Sequence, residues 1–189
     1  MKSKHIRKPV YRSVSTKIIL SILLYSTINC VSTNHDYSIH PNIGNSQSKL
    51  GMSQKEIIEN LGKPDQISRY TDSIYLNYFN LGMSVFFKEG SVVTIFYYAG
   101  RKGGYENGRF SQFPGSTTEG INMKSNYKDV IQVYGMPEAE GELSSAPIPS
   151  KWIVYKNKGI GFDFIIATGE IITISVSDFK RKNGLKSND

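Results

Sequence analysis

The stretch SQKEIIENLGKPD, residues 53–65, returns in a closely similar form as NYKDVIQVYGMPE, residues 126–138. In the first copy Ser53 and Glu56 have the spacing of a capping box, in which each side chain accepts a hydrogen bond from a backbone N–H at the helix start. A Gly-x-Pro sequence closes the stretch, because glycine suits a left-handed helix cap and proline cannot continue the helix. The stretch therefore predicts a short helix over residues 54–61.

The second copy follows the same pattern, with Asn126 and Asp129 at the box positions and Gly135 and Pro137 at the end. Each helix carries one apolar stripe at helical spacing. The stripes are Ile57, Ile58 and Leu61 in the first copy and Val130, Ile131 and Tyr134 in the second. Helices this short are not stable alone in water, so both stripes must pack against another element.

Runs of β-branched and aromatic residues, separated by turn residues, follow each helix and predict strands. They cover residues 73–79, 81–88 and 91–98 in the first copy and 150–157, 159–166 and 170–177 in the second. Each copy has about 60 residues, a size that is marginally stable on its own. The predicted fold class is α+β: two tandem repeats of a helix and an antiparallel meander, which share one sheet with the helices packed on one face.

The segment Gly51–Pro64 reads Gly-Met-Ser-x-x-Glu-Ile-x-x-x-Leu-Gly-x-Pro and precedes a meander. In this it resembles the SmpA/OmlA repeat, which occurs in a small outer-membrane lipoprotein of the β-barrel assembly machinery. Two such units in tandem resemble β-lactamase inhibitory protein. The resemblance covers most of residues 50–177 and implies a non-catalytic envelope protein. The chain departs from these families in showing one clear helix per copy and in having no cysteine pair for a disulfide.

The positive charge of the chain is concentrated at its N-terminus. Six of the 23 Lys and Arg residues precede residue 30, where there is no acidic residue, and the other 17 stand against 16 acidic residues. The rest of the chain is therefore nearly neutral, which argues against binding to nucleic acid. The apolar run IILSILLYSTI, residues 18–28, is shorter than the roughly 20 residues of a membrane span. A basic segment followed by a short apolar one is typical of a secretory signal peptide.

The only cysteine, Cys30, follows this apolar run and can form no internal disulfide. The sequence Thr27-Ile28-Asn29-Cys30 resembles a bacterial lipoprotein signal, although such signals usually have Leu at the first position and Gly or Ala before the cysteine. The resemblance implies cleavage before Cys30, a diacylglyceryl thioether on its sulfur and an acyl chain such as palmitate on its amine. More than one chain gives stable membrane anchoring. An ordinary signal peptide cleaved nearby and an uncleaved anchor are the alternatives.

The residue after the cysteine is Val31 rather than the Asp that resembles an inner-membrane retention signal. We therefore expect the outer membrane, with the domain on its periplasmic face or on the cell surface. The predicted organisation is a signal peptide (1–29), a lipidated Cys with a flexible tether (30–49), repeat 1 (50–99), a linker (100–119), repeat 2 (120–178) and a polar tail (179–189).

Catalytic and metal-binding chemistry has little support in the sequence. The tether contains His35, Asp36 and His40, but a mobile segment does not preorganise ligands, so we predict no metal site and no cofactor. No His or Cys follows residue 50, which excludes Ser-His and Cys-His nucleophiles and most zinc sites there. We therefore predict no catalytic residue and no enzymatic activity. The alternating acids in PEAEGELSSAPIPS, residues 137–150, favour a solvated loop.

Strand residues alternate between the two faces of a sheet. One apolar set is predicted to face the helices: Met83, Val85, Phe87, Val93, Ile95 and Tyr97, with Ile160, Phe162, Phe164, Ile172, Ile174 and Val176 in the second copy. The opposite face carries Phe86, Lys88, Phe96 and Tyr98 in the first copy and Asp163, Ile165, Thr173 and Ser175 in the second.

The set of Phe86, Lys88, Phe96 and Tyr98 is predicted to bind a partner, because an exposed aromatic face is unusual on a soluble monomer. The alternatives are that the linker or the tail covers this face, or that the register is shifted by one residue, which would exchange the two faces.

The expected function is that of a lipid-anchored, non-catalytic binding or scaffold module with a protein partner in the bacterial envelope. The first alternative is a proteinaceous inhibitor of a periplasmic or extracellular enzyme, which rests on fold-level analogy with the tandem-repeat inhibitor. The second alternative is a carboxylate-dependent hydrolase, since paired acids can act as general acid and base.

Overall fold

A computed structural model describes residues 36–100, 108–144 and 148–179 of the chain. These residues all belong to one compact unit, His35–Asp189. Within the described ranges no helix has both the length and the apolar character that crossing a membrane requires. The elements are α1 (Gln54–Leu61), β1 (Gln66–Arg69), β2 (Ser73–Tyr78), β3 (Met83–Lys88), β4 (Ser91–Tyr98), α2 (Tyr127–Tyr134), β5 (Ala139–Leu143), β6 (Ser150–Tyr155), a 3-10 turn (Lys156–Lys158), β7 (Ile160–Ile165) and β8 (Ile171–Ser177).

The eight strands form a single antiparallel sheet in the order β1-β2-β3-β4-β8-β7-β6-β5. The predicted fold class, two tandem helix-then-meander repeats under a helical layer, is therefore wrong. The described residues contain only two eight-residue helices beside one continuous sheet. Strands β4 and β8 pair from Thr94↔Ser177 to Tyr98↔Thr173 in the middle of this sheet, so no boundary separates the two halves into repeat units. Each of these strands would otherwise leave a row of backbone N–H and C=O groups without partners at a sheet edge.

Both helices form where the capping boxes predict them. The Ser53 backbone N–H donates to Glu56 Oε2 at 2.8 Å, and the Asn126 backbone N–H donates to Asp129 Oδ2 at 2.8 Å. Hydrogen bonds from Ser53 also hold the pKa of the Glu56 carboxyl below its usual range. Each cap is worth about 1 kcal/mol. The predicted helices are confirmed, and their apolar stripes place Ile57 and Val130 in the core that the sheet covers.

Irregular segments, rather than further helices, complete the layer over the inner face of the sheet. Ile39 is fully buried, and its backbone N–H donates to the Ser116 carbonyl at 2.8 Å. Phe113 and Met123, from the stretch before α2, are also buried in the core. The part of the predicted tether from residue 36 onwards is thus packed against the domain, because it carries apolar side chains that the short helices leave room for.

Strands β1 and β5 at the two edges of the sheet are absent from the sequence prediction. Residues 139–143 form β5, so the solvated loop that we predicted at the alternating acids is wrong there. Gly141 accommodates the neighbouring strand, since a Cβ at this position would lie 2.5 Å from Cζ2 of Trp152. An edge strand exposes one side to water, and for this reason its composition resembles that of a loop.

The register contains one β-bulge in each half of the sheet, and both bulges alter the predicted core. Phe87 pairs with Val92 while Phe86 pairs with Thr94, so Val93 is the extra residue and Val92 occupies the core position predicted for it. In the other half the extra residue is Ile172. A bulge places two residues of one strand against one of its partner. The alternation of faces along β3 is unaffected.

Candidate functional site

The face of the sheet opposite the two helices, here called the outer face, carries a group of aromatic rings. Tyr75 lies directly opposite Phe86 on the neighbouring strand, and their ring centroids are 4.6 Å apart. Phe96 extends the group, at 6.3 Å from Tyr75 and 6.4 Å from Tyr98. We call these side chains and the two that flank them the aromatic patch, which consists of Tyr70, Tyr75, Phe86, Phe96, Tyr98 and Phe110.

Three rings of the patch are closely aligned, with interplanar angles of 25° between Tyr75 and Phe96 and 23° between Phe96 and Tyr98. Tyr70 is 64% exposed, whereas Tyr75, Phe86, Phe96 and Tyr98 are partly buried. A groove of about 340 Å³ runs between the rings. It is lined by Ser68, Tyr70, Tyr75, Asn77, Phe96, Tyr98 and Phe110.

Local contacts hold the patch in one arrangement. Phe110 is buried and stacks on Tyr98 with a centroid distance of 3.9 Å. The Tyr98 hydroxyl lies 2.9 Å from the hydroxyl of Ser84, which is itself fully buried. The Arg109 guanidinium carbon lies 4.1 Å from the centre of the Phe79 ring, and this contact holds the segment before Phe110 on the sheet. These contacts therefore restrict the positions of the rings.

Three of the four predicted site residues, Phe86, Phe96 and Tyr98, belong to the patch. Lys88 lies on the same face at the end of β3, where its Nζ is 3.8 Å from Asp72 Oδ2. This ion pair is exposed and contributes little to stability. The sequence prediction omitted Tyr75, which the alternation in SIYLNY could have placed on this face. It also omitted Phe110, because this residue lies in the segment assigned to the linker, which has no helix or strand periodicity.

The second half of the outer face is polar where the first half is aromatic. Across the strands, Trp152 pairs with Asp163, Asp163 pairs with Thr173, and Thr173 pairs with Tyr98. Among the described residues, none forms a hydrogen bond or an ion pair with the Asp163 carboxylate, and burial raises the pKa of this carboxyl to about 6. The Thr173 hydroxyl is fully buried and also has no hydrogen-bond partner. Two polar groups without partners thus lie side by side.

A second cavity, of about 500 Å³, lies at the start of α2 on the helix-bearing side. One of the charged groups that line it is Lys151, whose Nζ is 2.9 Å from Glu140 Oε2 and 4.8 Å from the centre of the Tyr127 ring. Hydrogen bonding to Glu140 raises the pKa of Lys151. In the described part of the chain no three His, Cys, Asp or Glu side chains are grouped closely enough to hold a metal ion.

Comparison with known proteins finds no family model that matches the chain and no curated protein that matches it. Similar solved structures include an extracellular protein containing a SCP domain from Bacillus anthracis, with 13% identity, 72% of this chain and 48% of that chain covered, and a TM-score of 0.44. A cysteine-rich secretory protein from Staphylococcus aureus shows 8% identity, 77% and 50% coverage, and a TM-score of 0.46. The chain spans about half the length of these proteins.

These findings correct the resemblance to the SmpA/OmlA repeat, which is wrong. No family model matches the chain, and its two copies lie in one continuous eight-stranded sheet without a boundary between repeats. The physical reason is that the motif at Gly51–Pro64 consists of a capping box and a Gly-x-Pro stop. Any short, well-bounded helix can use these signals, so they specify an element rather than a family.

Proposed function

We propose that this protein is a non-catalytic protein-binding module of the bacterial envelope, which contacts its partner through the aromatic patch. The proposal rests on one observation: five partly or fully exposed aromatic side chains lie together on the sheet face that the helices leave uncovered. Scattered surface aromatics are ordinary, but a contiguous apolar patch is typical of an interaction site.

The geometry of the patch suits an interface anchor. Tyr and Phe side chains bury a large area on binding and have few rotatable bonds, so they lose little conformational entropy. In this protein the stacking of Tyr98 on Phe110 and the Tyr98–Ser84 contact restrict the ring before any partner binds. Such preorganisation lowers the free-energy cost of association.

We further propose that a lipid on Cys30 anchors the module to the outer membrane. Cys30 lies outside the described residues, and this part of the proposal rests on the order of basic segment, apolar run and cysteine in the sequence. An anchored module meets its partner at a membrane surface, where both are concentrated. A moderate affinity is then sufficient for a stable complex.

Site-specific photocrosslinking in living cells tests the binding surface. A photoreactive phenylalanine replaces Phe86 in one strain and Glu59, which is exposed on the opposite side of the sheet, in a control strain. We expect one recurrent protein adduct from position 86 and none from position 59. The adduct should weaken when the Phe96→Ala substitution is added. Equal adducts from both positions, or none from position 86, would contradict the proposal.

A further inference from the structure

Two lysines stand on the 3-10 turn that joins β6 to β7. Lys156 and Lys158 are both exposed, and neither forms an ion pair or a side-chain hydrogen bond with a described residue. The turn itself is held in place, since the Asn157 backbone N–H donates to Glu138 Oε1 at 3.0 Å and the Asn42 side chain donates to the Asn157 carbonyl at 3.3 Å. The structure therefore presents two positive charges to solvent at a fixed place.

The described part of the chain ends beside this turn. The Ser177 backbone N–H donates to the Gly159 carbonyl at 3.1 Å, and Phe179 is the last described residue. The rest of the polar tail, residues 180–189, reads KRKNGLKSND and lies outside the described residues. An extended chain spans at most about 3.6 Å per residue, so covalent connection keeps Lys180 within about 11 Å of Ser177.

Positive charge is therefore concentrated at this end of the sheet, although the chain after residue 30 is nearly neutral. The turn and the tail together contain six cations, Lys156, Lys158, Lys180, Arg181, Lys182 and Lys186, and the acidic residues next to them are Glu138, Asp178 and Asp189. The corresponding turn of the first half, residues 79–82, reads FNLG and carries no charge. It lies at the opposite end of the sheet, because three antiparallel pairings separate β3 from β7.

We propose that the turn lysines and the basic residues of the tail form a surface that binds the anionic headgroups of the membrane in which the lipid anchor is inserted. This inference rests on the proposed function, because the anchor on Cys30 keeps the domain near that membrane. Six positions separate Cys30 from Asp36, the first described residue, so the intervening chain spans at most about 22 Å. Lipid phosphates attract cations within about 10 Å at about 0.1 M salt.

The composition of this surface suits phospholipid headgroups. Five of its six cations are lysines, whose ammonium group is a compact point charge that binds phosphate without a fixed geometry. A membrane offers many phosphates in no fixed arrangement, so all six cations can act together. Each of them strengthens association about fivefold when it lies close to an anionic surface. With one end of its strands on the membrane, the sheet keeps the aromatic patch open to a protein partner.

Fluorescence quenching in vesicles tests this contact with the mature, lipidated protein. Asn157→Cys on the turn and Asn80→Cys on the uncharged counterpart replace exposed residues, and each offers one thiol for a fluorophore, because lipid blocks the sulfur of Cys30. The vesicles contain phosphatidylcholine alone or mixed with phosphatidylglycerol, and a lipid with a nitroxide on its headgroup is the quencher. At about 0.1 M salt, quenching at position 157 should be at least about threefold stronger in the anionic vesicles. The difference should vanish at about 1 M salt, where the screening length is about 3 Å, and position 80 should show none.

Charge reversal identifies the groups that make the contact. Lys156→Glu combined with Lys158→Glu should remove the difference between the two kinds of vesicle at position 157. Lys63→Glu combined with Lys128→Glu is the matched control, since it changes the net charge equally at two exposed lysines elsewhere on the domain, and it should preserve the difference. An equal loss in both pairs would show a general effect of net charge and would overturn the inference.

The tail is tested in the same way, and Lys180→Glu combined with Lys182→Glu should also remove the difference. Equal quenching at position 157 in neutral and anionic vesicles, or an unchanged difference in either the turn or the tail variant, would overturn the inference. An equal effect of anionic lipid at position 80 would overturn it too, because the contact would then have no preference for this end. A protein that does not associate with vesicles at all would contradict the lipid anchor and this inference together, whereas crosslinking from position 86 tests the partner surface independently.

Discussion

Replacing Asp163 by Asn should make the protein more stable at neutral pH, although it removes a charged residue from the surface of a sheet. The pKa of Asp163 rises from 3.8 to about 6 in the folded chain because burial disfavours the ionised form. This rise in the pKa corresponds to about 3 kcal/mol, since a tenfold change in an ionisation constant is worth about 1.4 kcal/mol. Asn keeps nearly the same shape and carries no charge, so it should avoid this cost.

The sign of the pH dependence follows from the direction of the shift. The unfolded chain ionises Asp163 first as the pH rises, so the folded state binds more protons between about pH 4 and about pH 6. Over this window the wild-type protein should lose up to about 3 kcal/mol of stability relative to Asp163→Asn, with no further loss from this group above about pH 6. The two proteins should have similar stability below about pH 4.

Urea unfolding of both proteins at a series of pH values measures this difference. Comparison with the variant is essential, because Glu56 and Glu119 have lowered pKa values and lose their stabilising effect as the pH falls. Asp72→Asn serves as the exposed control and should shift the curve by less than about 0.5 kcal/mol. A wild-type curve parallel to that of Asp163→Asn across the whole range would refute the claim that burial raises the pKa of Asp163.

Three further predictions concern the patch, the edge strand and the anchor. Phe96→Ala should weaken partner capture by at least about 2 kcal/mol with only a small change in melting temperature. The core control Phe87→Ala should lower the free energy of unfolding by about 3–5 kcal/mol, and an equal loss of stability in both variants would place Phe96 in the core. Gly141→Ala should destabilise the protein by about 1–3 kcal/mol in urea unfolding, because its Cβ would overlap the Trp152 ring, and an unchanged midpoint would show that the ring moves freely. Cys30→Ala should release the protein from the membrane fraction and remove fatty-acid labelling, and an unlabelled, membrane-bound protein in both forms would contradict the lipoprotein assignment.

Much of the local structure could be predicted from the sequence because its causes are local. Each helix is bounded by a capping box and a glycine followed by proline, and these signals act within about a dozen residues. The six interior strands have β-branched and aromatic runs that alternate with period two. The same alternation placed Phe86, Phe96 and Tyr98 on one face, so half of the aromatic patch was predictable.

The sequence does not determine by local rules where one strand meets a distant one. The pairing of β4 with β8 joins residues about 80 positions apart, and its register fixes how the two halves of the sheet meet. The bulges at Val93 and Ile172 depend on how the neighbouring strands align, which alternation within one strand cannot reveal. Strand β5 forms because β6 offers it hydrogen bonds and because Gly141 admits the Trp152 ring.

The polar half of the outer face shows the same division between local pattern and tertiary structure. Alternation assigned Asp163 and Thr173 to the outer face, but a partner for a carboxylate or a hydroxyl can come from any part of the chain. Only the folded structure shows that the register places these two groups opposite each other and that no described residue reaches either of them. Burial and hydrogen-bond satisfaction are properties of the whole packing arrangement, and for this reason the tertiary structure alone decides them.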